Sequence, residues 1–441
     1  MVKFIKKYGI YFVLFFFFLF WGLFLQPLYL DEVWTYGFSH SIYEGLIPYV
    51  DFNMVITPFY PFFLSLFFHL FGSSMLVLHI VNACLLTFLF FILSQLIKEK
   101  SYLFLLLLCY PLSIAFPNYN LFLLILFVLL LYLEKKKSND YIIGIVLVIS
   151  ILTKQTVGVL LCLPSLFYLK DYKKILKRYG VVLLGILLFV IYLVFSHSFS
   201  SFLDLCFFGL FDFGEANGKV FNFYFISSIL LLILLYLFHK KNKTIYFYYV
   251  LAFFSILIPI FDIYHFEIFF FGLLVAFFLI KPISIHFPIK LFVLGILFGT
   301  SAILTYWKIS DSFSYPNSIP RFEWRFLSND SLQYTDRVNE KIAKYGLENV
   351  LLLFPDSYYF KIINDSPITY FDLINYGNWG MNGTDKLISS LKEEEGKIVF
   401  VERKVNLNSQ INKEAIFYVK KNGVFIDKVL GYDIYRLGDE V

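Results

Sequence analysis

Long apolar runs separated by short polar breaks fill the first 307 residues of the chain. Several runs reach the roughly 17–25 residues that a helix needs to cross a bilayer. The first run passes into Tyr29-Leu30-Asp31-Glu32 without a small-residue cleavage site, so we interpret it as a retained helix and not a signal peptide. The pattern predicts about eleven membrane-spanning helices, near residues 9–28, 75–97, 102–116, 121–133, 141–153, 156–169, 180–196, 223–238, 245–260, 267–280 and 291–307.

The segment between the first two predicted spans, residues 29–74, contains neither lysine nor arginine. It predicts a helix over 32–44 followed by Gly45, and a second, apolar helix over 58–71 followed by Gly72. Glycine directly after the last periodic residue is typical of a helix end. The second helix is too short to cross a hydrocarbon core of about 30 Å, so we expect it to lie in the membrane interface.

Beyond residue 307 the composition becomes that of a soluble domain. Residues 308–441 carry 17 basic and 19 acidic side chains, and 17 − 19 = −2 excludes a polycationic surface for nucleic acid. Alternating strands and helices favour a small C-terminal α/β domain beside the α-helical membrane domain of residues 1–307. Strands are predicted at 349–354, 397–403 and 425–437, and helices at 385–395 and 412–422.

Charge distribution predicts the orientation. The chain is 59% hydrophobic and only 16% charged, against about 25% charged residues in soluble domains. With the N-terminus inside, eighteen lysines and arginines up to residue 307 fall in inner segments, and only Lys154 and Lys219 fall in outer ones. This asymmetry is the positive-inside pattern, and an odd number of spans then places the C-terminal domain outside. The bias toward Phe, Ile, Asn and Lys fits an AT-rich genome, so we expect a multi-pass protein of a bacterial plasma membrane.

An acidic pair, Asp31-Glu32, follows the first predicted span, and no basic residue of the same loop can pair with it. Carboxylates near a low-dielectric boundary are costly unless they are paired, bind a metal or take up a proton. The pattern therefore favours a functional role for this pair. An alternative, compatible with catalysis, is that Asp31 caps the following helix, since Asp is a favoured N-cap residue.

Two further outer turns carry candidate chemistry. Lys154, followed by Gln155, is a cation on the face that otherwise avoids cations, which predicts an anionic partner such as a carboxylate or a lipid phosphate. The alternative is a lysine that snorkels to the interface. In the turn that begins at Asp262, His265 is a candidate donor to a phosphate oxygen or a metal ligand, with an ordinary interfacial hydrogen bond as the alternative.

Other chemistry finds little support in the sequence. His40, His69 and His79 also fall near the outer face, but no ligand spacing predicts a metal site, and a divalent cation stays an open question. Asp204 and Asp212 are expected to be solvated. The chain lacks a P-loop, a zinc-protease signature and a nucleophile elbow, so ATP-driven transport and serine hydrolysis are not favoured.

One outer-loop motif resembles a known family. The segment reads Glu44-Gly45-Leu46-Ile47-Pro48-Tyr49-Val50-Asp51-Phe52 and then Thr57-Pro58-Phe59-Tyr60-Pro61. Together with Asp31-Glu32, it resembles the GT-C glycosyltransferases, in particular the protein O-mannosyltransferase and aminoarabinose-transferase branch and its bacterial relatives. The resemblance covers about residues 29–160 and is only architectural from there to 307. At Ile56-Thr57-Pro58 the chain lacks the lysine of the aminoarabinose enzymes, which puts phosphate binding by this loop in doubt.

The resemblance implies a GT-C-like fold with juxtamembrane helices in the first outer loop. It implies Asp31 as the general base with Glu32 beside it, and substrate binding by Asp51, by Lys154-Gln155, and by Asp262 with His265. The tail motifs Tyr376-Gly377-Asn378-Trp379-Gly380-Met381-Asn382-Gly383 and Tyr432-Asp433-Ile434-Tyr435-Arg436 resemble those of Gram-positive relatives, which suggests cell-wall or exopolysaccharide synthesis.

The predicted reaction moves a sugar from a polyprenyl-phosphate donor to the hydroxyl of a glycan acceptor. A carboxylate, Asp31, would take the hydroxyl proton as the C–O bond forms, and Lys154 would stabilise the leaving phosphate. One base and one attack imply inversion at the anomeric carbon. A transporter or flippase of lipid-linked saccharides is the alternative from another class, although the two related halves typical of transporters are not found. A glycan polymerase or ligase shares the chemistry.

Overall fold

The computed structural model describes residues 2–24, 29–109, 116–217, 222–242, 244–258, 260–280, 319–404 and 411–438. They belong to two compact units. Unit 1 comprises Met1–Leu25, Val77–Ile191 and Lys219–Ser312, and unit 2 comprises Gln26–Leu76, Tyr192–Gly218 and Phe313–Val441. Unit 2 therefore joins the first predicted outer loop and the segment around residues 192–218 to the C-terminal domain, a grouping that composition does not indicate.

Helices dominate the chain up to residue 280. A π-helical turn, Tyr29–Val33, precedes the second helix, and another, Asp204–Phe208, precedes the eleventh. The helices are α1 (Val2–Phe24), α2 (Trp34–Tyr43), α3 (Phe59–Phe71), α4 (Met75–Leu96), α5 (Lys100–Cys109), α6 (Tyr119–Lys135), α7 (Asp140–Thr153), α8 (Gln155–Tyr168), α9 (Tyr172–Phe195), α10 (Phe199–Leu203), α11 (Gly209–Asn217), α12 (Phe223–Asn242), α13 (Ile245–Phe253) and α14 (Ile263–Ile280).

Within the described residues, α4, α9 and α14 are long and apolar enough to cross a membrane. Other apolar helices are shorter. α7 and α8 have 14 residues each, a length of about 21 Å against a hydrocarbon core of about 30 Å. The prediction of a mostly helical chain with membrane-length apolar helices and a small sheet is thus confirmed. The number of eleven spans stays a prediction, and the last of them, 291–307, lies outside the described residues.

Lys154 joins α7 to α8 in the tightest turn of unit 1's described helices. It is both the C-cap of α7 and the N-cap of α8, and its backbone is extended (φ −151°, ψ 109°). Gly158 makes this hairpin sterically feasible, because a Cβ atom there would overlap the backbone of Ile151. The sequence thereby places a cationic side chain at the end of a closely packed helix pair.

A buried ion network joins the other ends of these helices. Arg178, near the start of α9, donates to Glu134 at the end of α6 and to Asp140 at the start of α7. It also donates to the hydroxyl of Ser165 on α8, at 2.8 Å. Arg178 is 3% exposed, so this basic residue near the start of α9 has a structural role that the charge count did not predict.

In unit 2, the two helices predicted for the first outer loop are confirmed within two residues. α2 ends at Tyr43, and Gly45 follows at φ +89°. α3 ends at Phe71, and Gly72 caps it at φ +83°. Both angles lie in the left-handed region that glycine enters without steric penalty.

The C-terminal part of unit 2 is a four-stranded sheet with helices packed on it. The strand order is β1-β2-β4-β3, with β1 and β2 parallel and the other pairs antiparallel. Leu387, Val399 and Ile416 lie in its apolar core. The elements are α15 (Asn329–Tyr345), β1 (Val350–Leu353), α16 (Ser357–Ile363), α17 (Gly383–Glu393), β2 (Ile398–Glu402), α18 (Lys413–Asn422), β3 (Gly423–Val429) and β4 (Tyr432–Leu437).

The prediction of one strand over 425–437 is wrong, because the segment is a hairpin. Its two-residue turn is Leu430-Gly431, and Leu430 adopts φ +46°. Two-residue hairpin turns usually place Asn, Asp or Gly at such positions. Because a leucine occupies the first turn position, the sequence gives little signal for the turn.

Candidate functional site

The acidic pair lies in the π-helical turn that leads without interruption into α2. Val33, not Asp31, occupies the N-cap position of α2, with helical backbone angles and no side-chain cap. Asp31 and Glu32 are both in the first turn of the π-helical segment. Negative charge is favoured at such a position by the helix dipole.

Glu32 forms a fully buried ion pair. Its carboxylate accepts a hydrogen bond from the guanidinium of Arg325 at 3.0 Å, and both side chains have 0% exposure. The two residues are 293 positions apart in the chain. A buried pair of this kind resists separation, because removal of one partner leaves an uncompensated charge. It fixes the acidic turn to the segment before α15, whereas the neighbouring Asp31 is partly exposed.

Aromatic packing further immobilises α2. The rings of Trp34 and Phe38 contact the ring of Tyr358 on α16, with centroid separations of 6.0 Å and 5.7 Å. Between them, Gly37 lies so close to Tyr358 that a Cβ atom would overlap its ring. A rigid helix start is what a general base needs, because proton transfer requires hydrogen-bonding distance to the acceptor hydroxyl.

Asp51 closes the turn that follows α2. Its carboxylate accepts a hydrogen bond from the backbone N–H of Ile47 at 2.6 Å. Within the same turn Tyr49 adopts φ +70° and donates its hydroxyl to the carbonyl oxygen of Ile56. Asp51 also lines an open cleft of unit 2, and its role in substrate binding stays a prediction.

In unit 1 the predicted cation is enclosed by protein. Lys154 is 8% exposed, and its ammonium donates to the side-chain oxygen of Asn120 at 3.4 Å. The ammonium also lies 5.6 Å from the ring centre of Tyr119. Its neighbour Gln155, the first residue of α8, is buried too. A buried ammonium does not fit the snorkelling interpretation, in which the head group reaches water.

Asn120 connects Lys154 to the histidine turn. Its side-chain nitrogen lies 3.2 Å from Nε2 of His265, and Nδ1 of His265 lies 2.8 Å from the carboxylate of Asp262. An ammonium only donates, so the amide oxygen of Asn120 faces Lys154 and its NH2 group faces His265. Nε2 of His265 must then accept. On its other side, Nδ1 of His265 donates to the carboxylate of Asp262.

The Asp262 carboxylate is stabilised as an anion. Burial by itself would raise the pKa of this carboxyl, but hydrogen bonds from the ring and the backbone N–H of His265 outweigh it and lower the pKa. The four side chains thus form one directed series from a cation to an anion. The ammonium of Lys154 lies at one end of this series and the carboxylate of Asp262 at the other.

Sequence reasoning identified Lys154, Asp262 and His265, which the structure brings together, but missed Asn120 and Tyr119. The available signal was the polar break Pro117-Asn118-Tyr119-Asn120, which interrupts the apolar pattern at the same predicted face. The ion pair of Glu32 with Arg325 was not predicted, because no local signal indicates Arg325. The candidate residues of unit 1 are Lys154, Gln155, Asp262 and His265, and those of unit 2 are Asp31, Glu32 and Asp51.

Asp204 and Asp212, which the sequence predicts to be solvated, are partly exposed but also bind the C-terminal segment. Asp204 accepts from the backbone N–H of Met381 at 3.0 Å and pairs with Lys386. Asp212 accepts from the backbone N–H of Gly383, the first residue of α17. The tail motif of residues 376–383 is therefore a docking segment for α11 and the turn before it.

Among the described residues, no three His, Cys, Asp or Glu side chains come together in a way that could bind a metal ion. Comparison of the chain with protein-family models, with curated proteins and with solved structures gives no match. The resemblance to GT-C glycosyltransferases therefore rests on the residues quoted above.

Proposed function

We propose that the chain is a multi-pass membrane glycosyltransferase of the GT-C type. It transfers a sugar from a polyprenyl-phosphate donor to a hydroxyl of a cell-wall or exopolysaccharide glycan on the outer face, with inversion. The observation that carries the proposal is the buried Lys154 in its directed polar series, because an ammonium held in place before the reaction can stabilise a phosphate that leaves with negative charge. A lipid phosphate is the anion that a membrane supplies.

In this mechanism Asp31 accepts the proton of the acceptor hydroxyl while the oxygen attacks the anomeric carbon. The bond between that carbon and the phosphate oxygen breaks, and the lipid phosphate leaves with its negative charge. Lys154 stabilises this charge, and donors fixed before the reaction are the most effective stabilisers. The buried pair Glu32–Arg325 supports the role of Asp31, because it leaves Asp31 as the partly exposed member of the acidic turn.

The alternative function is a transporter or flippase of lipid-linked saccharides. Buried ionisable groups among membrane helices are frequent in transporters, and Arg178 with Glu134 and Asp140 is such a group. Both carboxylates pair with the guanidinium of Arg178 in the structure. This complementarity favours a structural bridge over a site that must load and release a substrate.

A reaction in detergent separates the two functions. Purified protein is mixed with a panel of radiolabelled polyprenyl-phosphate sugars and a mixed oligosaccharide acceptor pool, with and without EDTA. A glycosyltransferase releases polyprenyl phosphate and labels the acceptor in micelles, where transport cannot be recorded. Absence of turnover with every donor, combined with movement of the intact lipid across reconstituted vesicles, would establish the alternative instead.

A further inference from the structure

An open cleft of 610 Å³ lies in unit 2. Its walls come from the turn after α2, the start of β1, the segment between α16 and residue 371, and the turn between α17 and β2. This volume lies within the range of small-molecule binding sites, about 300–1,000 Å³. Asp31 and Lys154, the residues that act in the proposed transfer, do not line this cleft.

The charge of the lining selects against anions. Two lysines and four carboxylates line the cleft, and 2 − 4 = −2. One of the lysines, Lys361, is 6% exposed, so a ligand in the cleft would contact little of its side chain. A neutral polyhydroxylated ligand or an amino sugar fits this lining better than a phosphate or a uronic acid. The charged residues are Asp51, Glu348, Lys361, Asp365, Glu394 and Lys397.

An exposed aromatic ring provides a stacking surface. Tyr370 lines the cleft and is 42% exposed. Its ring contacts the rings of Phe371 and Trp379 edge-on, each at 6.0 Å between centroids. These contacts keep the ring in place without covering it. The apolar C–H face of a sugar stacks on such a ring, while its hydroxyls pair with nearby carboxylates and amides.

Hydrogen bonds order the rim of the cleft before any ligand arrives. Asp372 accepts from the backbone and the hydroxyl of Thr369, which fixes the short helical turn that begins at Tyr370. Asn364 donates to Asn339 on α15 at 2.6 Å, and Asp365 pairs with Arg321. Because these side chains are already ordered, the rim of the cleft loses little conformational entropy when a ligand binds. This favours the affinity of the cleft for a polar ligand.

We propose that this cleft binds the glycan acceptor and that it selects neutral or amino-substituted saccharides. The acceptor role rests on the proposed glycosyl transfer, but saccharide binding itself does not. Tyr370 supplies the stacking surface, and Glu348 and Glu394 with Asn364 supply polar groups for hydroxyls or for an ammonium group.

The test measures saccharide binding to the full chain in detergent, without donor, by isothermal titration calorimetry. The probes are maltotetraose, chitotetraose, a glucosamine tetramer and a galacturonate tetramer. We expect binding of at least one of the first three and none of the galacturonate tetramer. Tyr370→Ala should weaken binding about tenfold, as expected for loss of one stacking ring. Phe417→Ala is the matched control, because Phe417 is 56% exposed and does not line the cleft.

A second variant tests the electrostatic part. Glu394→Gln should weaken the glucosamine tetramer and leave the neutral tetramers nearly unchanged. The proposal is overturned if no probe binds, if the galacturonate tetramer binds most tightly, or if Tyr370→Ala binds like the wild type. The results for transfer are interpreted separately. If saccharide binding depends on Tyr370 but no donor is turned over, only the glycosyltransferase function is refuted. If a donor is turned over but saccharide binding does not depend on Tyr370, only the role of the cleft is refuted.

Discussion

At the scale of single residues, the decisive question is whether Asp31 accepts a proton. Asp31→Asn keeps the size of the side chain and removes its charge. The lost attraction to the helix dipole is worth at most about 0.3–1 kcal/mol. Loss of a general base lowers the rate by about 10²–10⁴-fold, or roughly 3–5 kcal/mol in the barrier. We therefore expect near-normal thermal stability with at least a hundredfold slower release of polyprenyl phosphate.

The control for this variant is Glu44→Gln. Glu44 is the C-cap of α2, and its side chain is 52% exposed. It shares the loop and the helix with Asp31 but not the start of the helix. We expect nearly unchanged transfer. If Asp31→Asn retains more than about a tenth of the wild-type rate, the base lies elsewhere in the molecule.

The phosphate role of Lys154 is tested by Lys154→Met, which keeps most of the apolar stem. Loss of a hydrogen bond to a charged group is worth roughly 1.5–3 kcal/mol. Donor affinity should therefore fall about ten- to a hundredfold in a binding titration. Lys177→Met is a close control, because the ammonium of Lys177 also lies 5.6 Å from a tyrosine ring centre, that of Tyr141, but Lys177 is exposed. If both variants bind the donor as tightly as the wild-type protein does, the role of Lys154 is purely structural.

The buried pair Glu32–Arg325 makes a prediction about stability. Removal of one charge by Glu32→Gln or Arg325→Met leaves the other buried, which should lower the free energy of unfolding by about 3–5 kcal/mol. The double variant leaves no uncompensated charge, so it should be more stable than the sum of the single losses implies. Thermal unfolding of the four proteins in one detergent measures this coupling. Additive losses would mean that the pair contributes no mutual stabilisation.

The sequence gives its clearest signals at residues whose type conflicts with their position. Lys154 is a cation on a face poor in cations, and Asp31-Glu32 is an acidic pair at the end of an apolar run, so each was visible locally. Arg325 was not, because its partner lies 293 residues away. A pairing over that distance depends on the tertiary fold, which periodicity does not encode.

At the scale of elements, the clearest case is the α7–α8 hairpin. Gly158→Ala places a methyl group against the backbone around Ile151. Backbone cannot move as a flexible side chain can, so overpacking should destabilise the protein by about 1–3 kcal/mol or more and displace Lys154. The expected readout is a lower melting temperature together with weaker donor binding.

Gly180→Ala is the matched control for the hairpin. Gly180 is also helical, in α9, and no atom outside its own surroundings lies within 4 Å of the Cβ position. Alanine there should stabilise the helix by roughly 0.5–1 kcal/mol. A Gly158→Ala protein as stable as the Gly180→Ala protein would contradict the close packing of α7 on α8.

Element prediction worked best where composition and boundary residues agree, as at α2 with Gly45 and α3 with Gly72. It failed at the β3–β4 hairpin, because Leu430 occupies a left-handed turn position. Helix α15 was not predicted although signals were present. Ser328 caps its start, Gly346 follows its end, and Thr335, Val338 and Ile342 are buried at helical spacing. A polar helix outside the apolar runs is easily read as loop.

At the scale of the whole molecule, the division into two units follows contacts that sequence order does not reveal. The predicted boundary at residue 307/308 lies outside the described residues. Two contacts join the chain segments of unit 2. One is the ion pair Glu32–Arg325, and the other is the docking of residues 376–383 on α11 and the turn before it. Glycine makes the second contact close, since a Cβ atom on Gly380 would overlap the carboxylate of Asp204.

Orientation in the membrane is the remaining whole-molecule prediction. Eighteen inner against two outer basic residues favour an inside N-terminus, because lysine and arginine near the ends of membrane helices are retained in the cytoplasm. One of the eighteen, Arg178, is buried in an ion network, but leaving it out of the count still gives seventeen inner residues against two outer ones.

An enzyme that is active only outside the cytoplasm should therefore give signal when fused after Val441. The same enzyme inserted after Lys170, in the exposed segment between α8 and α9, should give none. A cytoplasm-active reporter at the two positions is the control and should show the opposite pattern. Signals reversed at both positions would place Lys154 on the cytoplasmic face, which would overturn the outer-face reaction together with the topology.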